Sequence, residues 1–571
     1  MGRRVRPIRA WQLPQTAPAP QGDAALVDAV LEQHLVHTLG ALPLLLPLLE
    51  RLGLREVVNQ QCQPAGSGAD LDVGLVALVL VCNRLLAPQP LVHVEEWLEQ
   101  TALPELLGFA AGQVNDDRLA RTLDALVPHL DQLWQELILR AIVTFDLDLS
   151  QLCYDLTSIS FFGAYEDADL IAYGYSRDHR PDCKQVEIAA TRWRAQRDRA
   201  AGGVPIDYHT LAGNVADCTT PVANLRRLQR LLALLPARPG GWPLPLVISD
   251  RAMLTLESIA AYEASRVRYL GPLDPGLGHG AVRDLLTSVT AEELAASPLG
   301  YRPQRAADDP AWEPNQGVAR RLLLAHPDAA RPPLTVQALV VWSPGKARLD
   351  AGLRATHLAR LEAALTDLAG KVGRRPYTTK AAVERRLATI LARQPARQFV
   401  TARVEEAAPE ASEATAPALR LAWTRAADAI AKAAALDGRY VLGTNDPSLD
   451  PESMLASAKR RDVPEKRFAL VKGPLAVRPV YLHKQERIQA LVFCTMVALL
   501  VFALLELLAH RAGFAASGQT LLAQFASLAV LILVLHDGSA LRRVTGLAPP
   551  LAAILLALDF PPADRYALRR D

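Results

Sequence analysis

The chain has 571 residues, of which 50% are hydrophobic and 21% are charged. This composition excludes an intrinsically disordered protein, and the length exceeds what one hydrophobic core usually organises, so we expect two to four domains. The formal net charge of +2 indicates no class of partner, because 62 basic residues nearly cancel 60 acidic ones.

The basic residues are concentrated in two places. Residues 1–10 contain four arginines and no acid, and residues 459–478 contain seven lysines or arginines and two acids. Each is a candidate phosphate-contacting patch, with an ordinary soluble surface as the alternative.

The six cysteines form no C-x-x-C pair. This argues against a zinc site and against a disulfide framework, and it predicts a reducing, cytoplasmic environment. No apolar segment follows the N-terminal arginines, so we expect no signal peptide.

Two apolar runs lie near the C-terminus. Residues 488–505 are 18 residues without a charge, which is the length of a membrane span, and residues 521–535 are similarly apolar. Because Glu506 continues the first helical pattern, and Gln489 and Thr495 interrupt it, we interpret both runs as buried helices of a large α/β core. A membrane protein anchored through 488–535 is the alternative.

The N-terminal quarter of the chain has a helical pattern. Residues 1–22 form a basic, proline-rich tail that we expect to be flexible. Residues 23–146 repeat apolar positions every three or four residues, as in V-D-A-V-L-E-Q-H-L-V, and predict a helical domain that we assign to DNA binding. Within it, N-D-D-R-L-A-R-T-L-D-A-L predicts an amphipathic helix capped by Asn115 or Asp116.

The pattern changes to strands at residue 151. We predict strands at 151–162, 184–193, 204–214, 243–250 and 267–273, with helices opened by Thr220-Pro221 and spanning 254–264. This order predicts a mixed α/β layer. We assign 147–275 to the first part of this core, 276–430 to an α+β insertion domain, 431–510 to its second part and 511–571 to a C-terminal helical region.

Three acidic residues are candidates for metal-dependent chemistry. Asp155 interrupts an apolar and aromatic strand in which aspartate is disfavoured, Asp250 ends a short strand, and Glu465 is predicted on a later helix. A central strand and its neighbour can present two carboxylates at one sheet edge, and a helix packed across that edge can supply a third. The alternatives are that Asp250 caps the next helix and that Glu465 completes a capping box begun by Asp462.

Taken together, these residues resemble the bacterial insertion-sequence transposases that carry a DDE triad on an RNase H-like fold. One branch of that family has Tyr, two residues, Arg, three residues, Glu, six residues and Lys around its last acid. Arg461, Glu465 and Lys472 match this signature, and Ala458 stands at the tyrosine position. Y-D-L-T-S and V-I-S-D-R-A-M resemble the segments of the first two acids, and family-like sequence spans most of 25–275 and 436–510.

The resemblance implies an RNase H-like mixed sheet flanked by helices, with an insertion domain before the glutamate helix. It implies that Asp155, Asp250 and Glu465 bind two Mg²⁺ or Mn²⁺ ions per active site. Water, and then a 3′-hydroxyl, would attack a phosphodiester. The implied partners are double-stranded DNA, as terminal inverted repeats and as target, and a second copy of the chain in the DNA complex. The implied location is the bacterial cytoplasm, without a membrane.

Basic residues beside these segments are candidate DNA contacts. Arg461 and Lys472 would hold phosphates next to the metals. The aromatic and basic loop 175–184, with Arg177, Arg180 and Lys184, is a second candidate, for which a solvated hairpin is the alternative. A catalytically inactive DNA-binding relative is the alternative function, and Ala458 would be a sign of it.

Overall fold

The computed structural model describes residues 31–62, 70–163, 165–166, 168–177, 180–194, 202–265, 267–303, 306, 309–407, 418–459, 469–470, 482–535 and 540–567. The fold is mixed α/β, with a mixed sheet and a helical N-terminal region. The chain divides into two compact units. The first contains residues 1–148, 157–214 and 465–571, and the second contains residues 149–156 and 215–464.

The N-terminal part of the first unit is helical, as the apolar spacing predicts. Its α-helices among the described residues are α1 (Leu42–Leu52), α2 (Leu54–Cys62), α3 (Val73–Leu86), α4 (Val94–Glu99), α5 (Leu103–Leu107), α6 (Asp116–Leu126) and α7 (Leu130–Thr144). The predicted amphipathic helix is α6, and Asn115 is its cap, because the Asn115 Oδ1 accepts a hydrogen bond from the Arg118 amide at 2.9 Å.

One part of this helical prediction is wrong. Residues Leu31–Thr38 form strand β1, which pairs antiparallel with strand β12 (Ala529–Leu535). Strand β13 (Ala540–Thr545) completes this three-stranded sheet. Ten residues of V-D-A-V-L-E-Q-H-L-V are too few to distinguish helical from extended spacing, and the tertiary pairing with β12 decides between them.

A long apolar helix, α16 (Gln485–Arg511), lies inside the first unit. It is the one described helix long and apolar enough by itself to cross a membrane, and 94% of its most apolar 18-residue window is buried. The helix contacts α1, α3 and α6. The prediction of a buried core helix over 488–505 is therefore confirmed.

The region 511–571 is only partly helical. Helix α17 (Gly518–Phe525) and helix α18 (Pro549–Ala557) frame the two strands β12 and β13. The prediction of a helix through 521–535 fails after Phe525, because A-V-L-I-L-V-L is rich in β-branched residues and finds strand partners on both sides.

Three long strands carry the chain out of the helical region. They are β2 (Gln151–Phe161), β3 (Lys184–Arg194) and β4 (Gly202–Ala212), and they confirm the first three predicted strands. Strand β3 pairs antiparallel with β4. Trp134 of α7 packs edge-on against Tyr208 of β4 and donates its Nε1–H to the Ile206 carbonyl at 3.2 Å.

The second unit is built on strands in the order β2, β5, β6, β11, β8, β7. Strands β5 (Leu246–Ile248) and β6 (Arg268–Pro272) run parallel to β2, whereas β11 (Arg439–Thr444), β8 (Leu334–Trp342) and β7 (Gln316–Leu324) join in antiparallel pairs. Helix α8 (Pro221–Ala233) lies between β4 and β5 in the chain, and helix α9 (Leu256–Ser265) connects the parallel strands β5 and β6. Pro221 opens α8 as predicted, but the Thr220 side chain does not cap it.

The segment 276–430, predicted as one insertion domain, has two parts in the structure. Helices α10 (Ala281–Ser288) and α11 (Ala291–Ala295) precede β7 and β8, which continue the sheet beside β11. The other part has an apolar cluster of its own. Its elements are α12 (Pro344–Ala369), α13 (Lys380–Ala392), β9 (Val400–Ala407), β10 (Ala418–Arg425) and α14 (Ala427–Ala434). The α+β character predicted for this segment does not indicate which sheet its strands join.

Candidate active site

The register of two parallel strands brings two of the predicted acids together. The last paired position of β2 and β5 is Cys153 with Ile248. Two residues further along the same register, Asp155 stands opposite Asp250, whose backbone is still extended at φ −79° and ψ 166°. Adjacent strands lie about 4.8 Å apart, so the two carboxylates are near neighbours at the carboxyl end of β5.

Each carboxylate also makes a local hydrogen bond. The Asp155 Oδ1 accepts from the Leu156 amide at 2.9 Å, and the Asp250 Oδ1 accepts from the Arg251 amide at 2.9 Å. Asp250 thereby caps the 3₁₀ turn Arg251–Met253 rather than helix α9 itself. Asp155 is half-buried and Asp250 is exposed, so both are accessible from the strand ends. A cap of this kind fixes a carboxylate without using all of its lone pairs.

A helix packs on the same face of the sheet as these acids. Cys153 and Ile248 lie in an apolar cluster with Met454 and Leu455 of helix α15 (Pro451–Lys459). Because side chains alternate along a strand, Asp155 and Asp250 point to the face of Cys153 and Ile248. The face that carries the acids is therefore the face that α15 covers.

Ala458, at the position of the family's tyrosine, lies on α15. Its side chain is half-buried against this apolar cluster. The alanine therefore has a packing role at the end of the helix. Glu465, Arg461 and Lys472 lie outside the described residues, as do the basic segment 1–10 and most of 459–478.

The strand that carries Asp155 is anchored to the start of helix α8. The Tyr154 hydroxyl donates to the Thr220 Oγ1 at 2.8 Å, and the Thr220 hydroxyl donates to the Asp217 carbonyl at 2.9 Å. The turn Asp217–Thr219 packs in turn against the turn Arg251–Met253 that follows Asp250. These contacts hold the two acid-bearing segments from the side, and spacing in the sequence gives no sign of them.

The predicted DNA-contacting loop has its cations partnered within the protein. Arg177 Nη1 lies 3.2 Å from the Glu187 Oε1, Arg180 forms two hydrogen bonds to the Asp182 carboxylate, and Lys184 Nζ donates to the Tyr165 carbonyl at 2.9 Å. Asp182 is an acid within the loop itself, whereas Glu187 is a buried residue of β3. Tyr175 is 82% exposed.

A buried glutamine that sequence reasoning missed fixes this loop. The side chain of Gln185 is 1% exposed, and its Nε2 donates to the Tyr175 carbonyl at 3.1 Å and to the Gly213 carbonyl at 2.8 Å. The backbones meet so closely that a Cβ at Gly174 would lie 1.8 Å from the Gly213 oxygen. Glycine is required at this close approach, and Gly174 and Gly213 were the only sign of it in the sequence.

The pair Asp155 and Asp250 suits a divalent cation by donor chemistry. Carboxylate oxygens are the hard ligands that Mg²⁺ and Mn²⁺ prefer, and an accessible pair leaves positions for water and phosphate. Within the residues that the structure describes, no group of three His, Cys, Asp or Glu side chains is close enough to hold an ion.

A family model matches residues 34–139, under the description of a domain of unknown function, DUF4277. The match covers helices α1 to α6 and part of α7, which is less than a fifth of the chain. No curated protein matches the sequence. The match therefore relates the N-terminal helical region to this domain and does not extend to the acid-bearing strands.

Proposed function

We propose that the protein is a metal-dependent DNA transposase of the DDE type, with an RNase H-like core formed around β2. The observation that carries the proposal is the parallel pairing of β2 with β5, in which Asp155 and Asp250 each follow the last pair, Cys153 with Ile248, by two residues on the face covered by α15. The two acids are 95 positions apart in the sequence, and their position on adjacent strands supports the proposal.

The third acid of the proposed site is Glu465, six positions after the last residue of α15. Asp155, Asp250 and Glu465 would hold two Mg²⁺ or Mn²⁺ ions, with Arg461 and Lys472 on adjacent phosphates. Ions bound there supply Lewis-acid stabilisation of the attacking and leaving oxygens. Water would attack the phosphodiester and release a 3′-hydroxyl, which then would attack a phosphodiester of the target DNA.

The protein's own contribution to this chemistry is rigid placement. Asp155 lies within an eleven-residue strand that is otherwise almost entirely buried, and Asp250 caps a turn. The Tyr154–Thr220 hydrogen bond holds the segment beside them. Carboxylates fixed in this way cost little reorganisation when charge develops on the phosphate.

The test is cleavage of a DNA duplex that carries the terminal inverted repeats flanking the gene, by the full-length protein with Mg²⁺ or Mn²⁺. We expect Asp155→Asn and Asp250→Asn to lower the cleavage rate on the order of a thousandfold. Asp284→Asn, at an exposed aspartate of α10, is the matched control and should cleave normally. Glu465→Gln tests the third acid separately.

A second readout separates metal binding from activity. Luminescence of Tb³⁺ bound to the wild-type protein should fall in Asp155→Asn and Asp250→Asn and persist in Asp284→Asn. Cleavage by Asp155→Asn at the wild-type rate would refute the assignment. Binding of the DNA ends by the wild-type protein without metal-dependent cleavage would identify a non-catalytic relative instead.

A further inference from the structure

Residues 371–397 form the connection from α12 to α13, helix α13 and the turn after it. They contain eight lysines or arginines and one acid, Glu384. We call the exposed arginines of this segment the arginine surface. They are Arg374, Arg375, Arg385, Arg386, Arg393 and Arg397.

Helix α13 presents Arg385 and Arg386 to solvent because its apolar residues are buried on the other side. Val383 and Leu387 of α13 lie in one apolar cluster with Leu361 and Leu365 of α12. Burial of positions four residues apart fixes one stripe of a helix toward the core and leaves the opposite stripe in solvent. The orientation of the arginine surface therefore follows from the packing of this cluster.

The acids around this segment are paired with other cations. Glu406 lies 3.5 Å from the Lys380 Nζ, Glu405 lies 2.6 Å from the Arg403 Nε, and Glu362 pairs with Arg425. Within the described part of the chain, none of the six arginines forms an ion pair or a side-chain hydrogen bond. Exposed arginines that form no ion pair, beside the single acid Glu384, attract an anionic partner.

The spacing and residue type favour phosphate groups. Arg386 and Arg393 are seven residues apart, which sets them on the same side of the helix about 10.5 Å apart. Arg393 and Arg397 line a cavity of about 470 Å³ together with Gln394 and Gln398. Six of the eight cations are arginines, whose planar fork matches phosphate oxygens in pairs.

We propose that the arginine surface binds the phosphate backbone of duplex DNA without reading its sequence. An anionic membrane is the other partner that such charge attracts, but membrane-surface helices also bury apolar side chains in the lipid. No large hydrophobic side chain within 371–397 is exposed. The choice of DNA rests on the proposed function, whereas the binding itself requires no cleavage.

The experiment measures binding of the full-length protein to a DNA duplex of arbitrary sequence. The duplex has about 30 base pairs, so that it spans three helical turns. Fluorescence anisotropy is recorded in EDTA, so that no cleavage occurs. The test variant replaces four arginines: Arg385→Gln, Arg386→Gln, Arg393→Gln and Arg397→Gln. The control variant removes four other exposed arginines of the same unit: Arg283→Gln, Arg321→Gln, Arg331→Gln and Arg348→Gln.

We expect the test variant to bind at least about tenfold more weakly than wild type and to lower the slope of log K against log salt by about 3 to 4. The control variant should keep most of the affinity. Equal thermal unfolding of all three proteins checks the fold, because every replaced side chain is exposed.

Two outcomes would overturn the inference. The first is a test variant whose affinity and salt slope equal those of the control variant. The second is unchanged DNA binding together with lost binding to phosphatidylserine vesicles, which would reassign the surface to lipid. If wild type binds DNA through this surface but never cleaves it, the proposed function fails and this inference stands.

Discussion

Two basic regions of the molecule look alike as sequence and differ as structure. The loop 175–184 and the arginine surface are both rich in cations. The loop's Arg177, Arg180 and Lys184 are half-buried, whereas the six arginines of the arginine surface are exposed. In the loop, Arg177, Arg180 and Lys184 each have a partner in the protein, and two of those partners are carboxylates. Beside the arginine surface, Glu406 and Glu405 form ion pairs with Lys380 and Arg403 instead.

The difference shows that a run of basic residues does not by itself define a binding surface. In the loop, the cations hold the backbone in place, and Gln185 fixes it from beneath. On helix α13, Arg385 and Arg386 are exposed and form no ion pair within the part of the chain that the structure describes, so they are available to a ligand. The partner of each cation, rather than its frequency in the sequence, separates a structural role from a binding role.

The largest effect expected from this comparison is on stability. Glu187→Gln removes the charge that compensates Arg177 at a site where Glu187 is 2% exposed. We expect a loss of roughly 2–3 kcal/mol in the free energy of unfolding, which is less than for a fully buried pair because Arg177 is partly exposed. Arg386→Gln should change it by less than about 0.5 kcal/mol. Urea denaturation measures both, and equal midpoints would remove the distinction between the regions.

A smaller effect is expected on DNA affinity when the loop is neutralised. The triple variant Arg177→Gln, Arg180→Gln, Lys184→Gln should weaken binding to arbitrary duplex by less than about threefold, because these cations are already compensated. Anisotropy at the same ionic strength provides the measurement. A tenfold loss in a variant that is still folded would show that the loop releases its partners to bind DNA.

The smallest effect concerns a proton equilibrium in the loop. Hydrogen bonds from Arg180 hold the pKa of the Asp182 carboxyl well below its usual range. Because the pKa is lowered in the folded state, the pair stabilises the fold at pH values above the ordinary aspartate pKa of about 3.9. This stabilisation is lost only as the pH falls through the folded-state pKa. In ¹³Cγ-aspartate spectra, the Asp182 signal is identified as the one that is absent from the Asp182→Asn variant. Its chemical shift should remain that of an ionised carboxylate at about pH 3. Titration near 4 would show that the pair does not persist in solution.

Sequence patterns predicted the elements of the fold well where the pattern was long. Strands β2, β3 and β4 and helices α6 and α9 lie close to where periodicity and turn residues predict them. Residues 31–38 and 529–535 were assigned to helices although they pair with each other as strands. Each run is short and apolar, so its local pattern does not distinguish helix from strand. The strand conformation depends on pairing with a segment about 500 residues away in the sequence.

The candidate site divides in the same way. The residue types of Asp155 and Asp250 identified them as unusual for their positions, and the strand register explains why they meet. The support from Tyr154 and Thr220 could not be predicted, because it depends on a contact between distant segments. Sequence analysis identifies a misplaced carboxylate more easily than the ordinary side chains that hold it.

The buried helix α16 has a consequence for how the protein is made. Helices α1, α3 and α6 all pack on α16, and Arg487 near its start forms a bidentate ion pair with Asp124 of α6. Residues 34–139 leave the ribosome about 350 residues before α16 does. At typical translation rates this is a wait of roughly 20 to 70 seconds, during which the apolar sides of the early helices have no covering helix. We therefore expect folding to depend on chaperones, and chains truncated before Gln485 to aggregate, because the central helix of this core is synthesised long after the helices that pack on it.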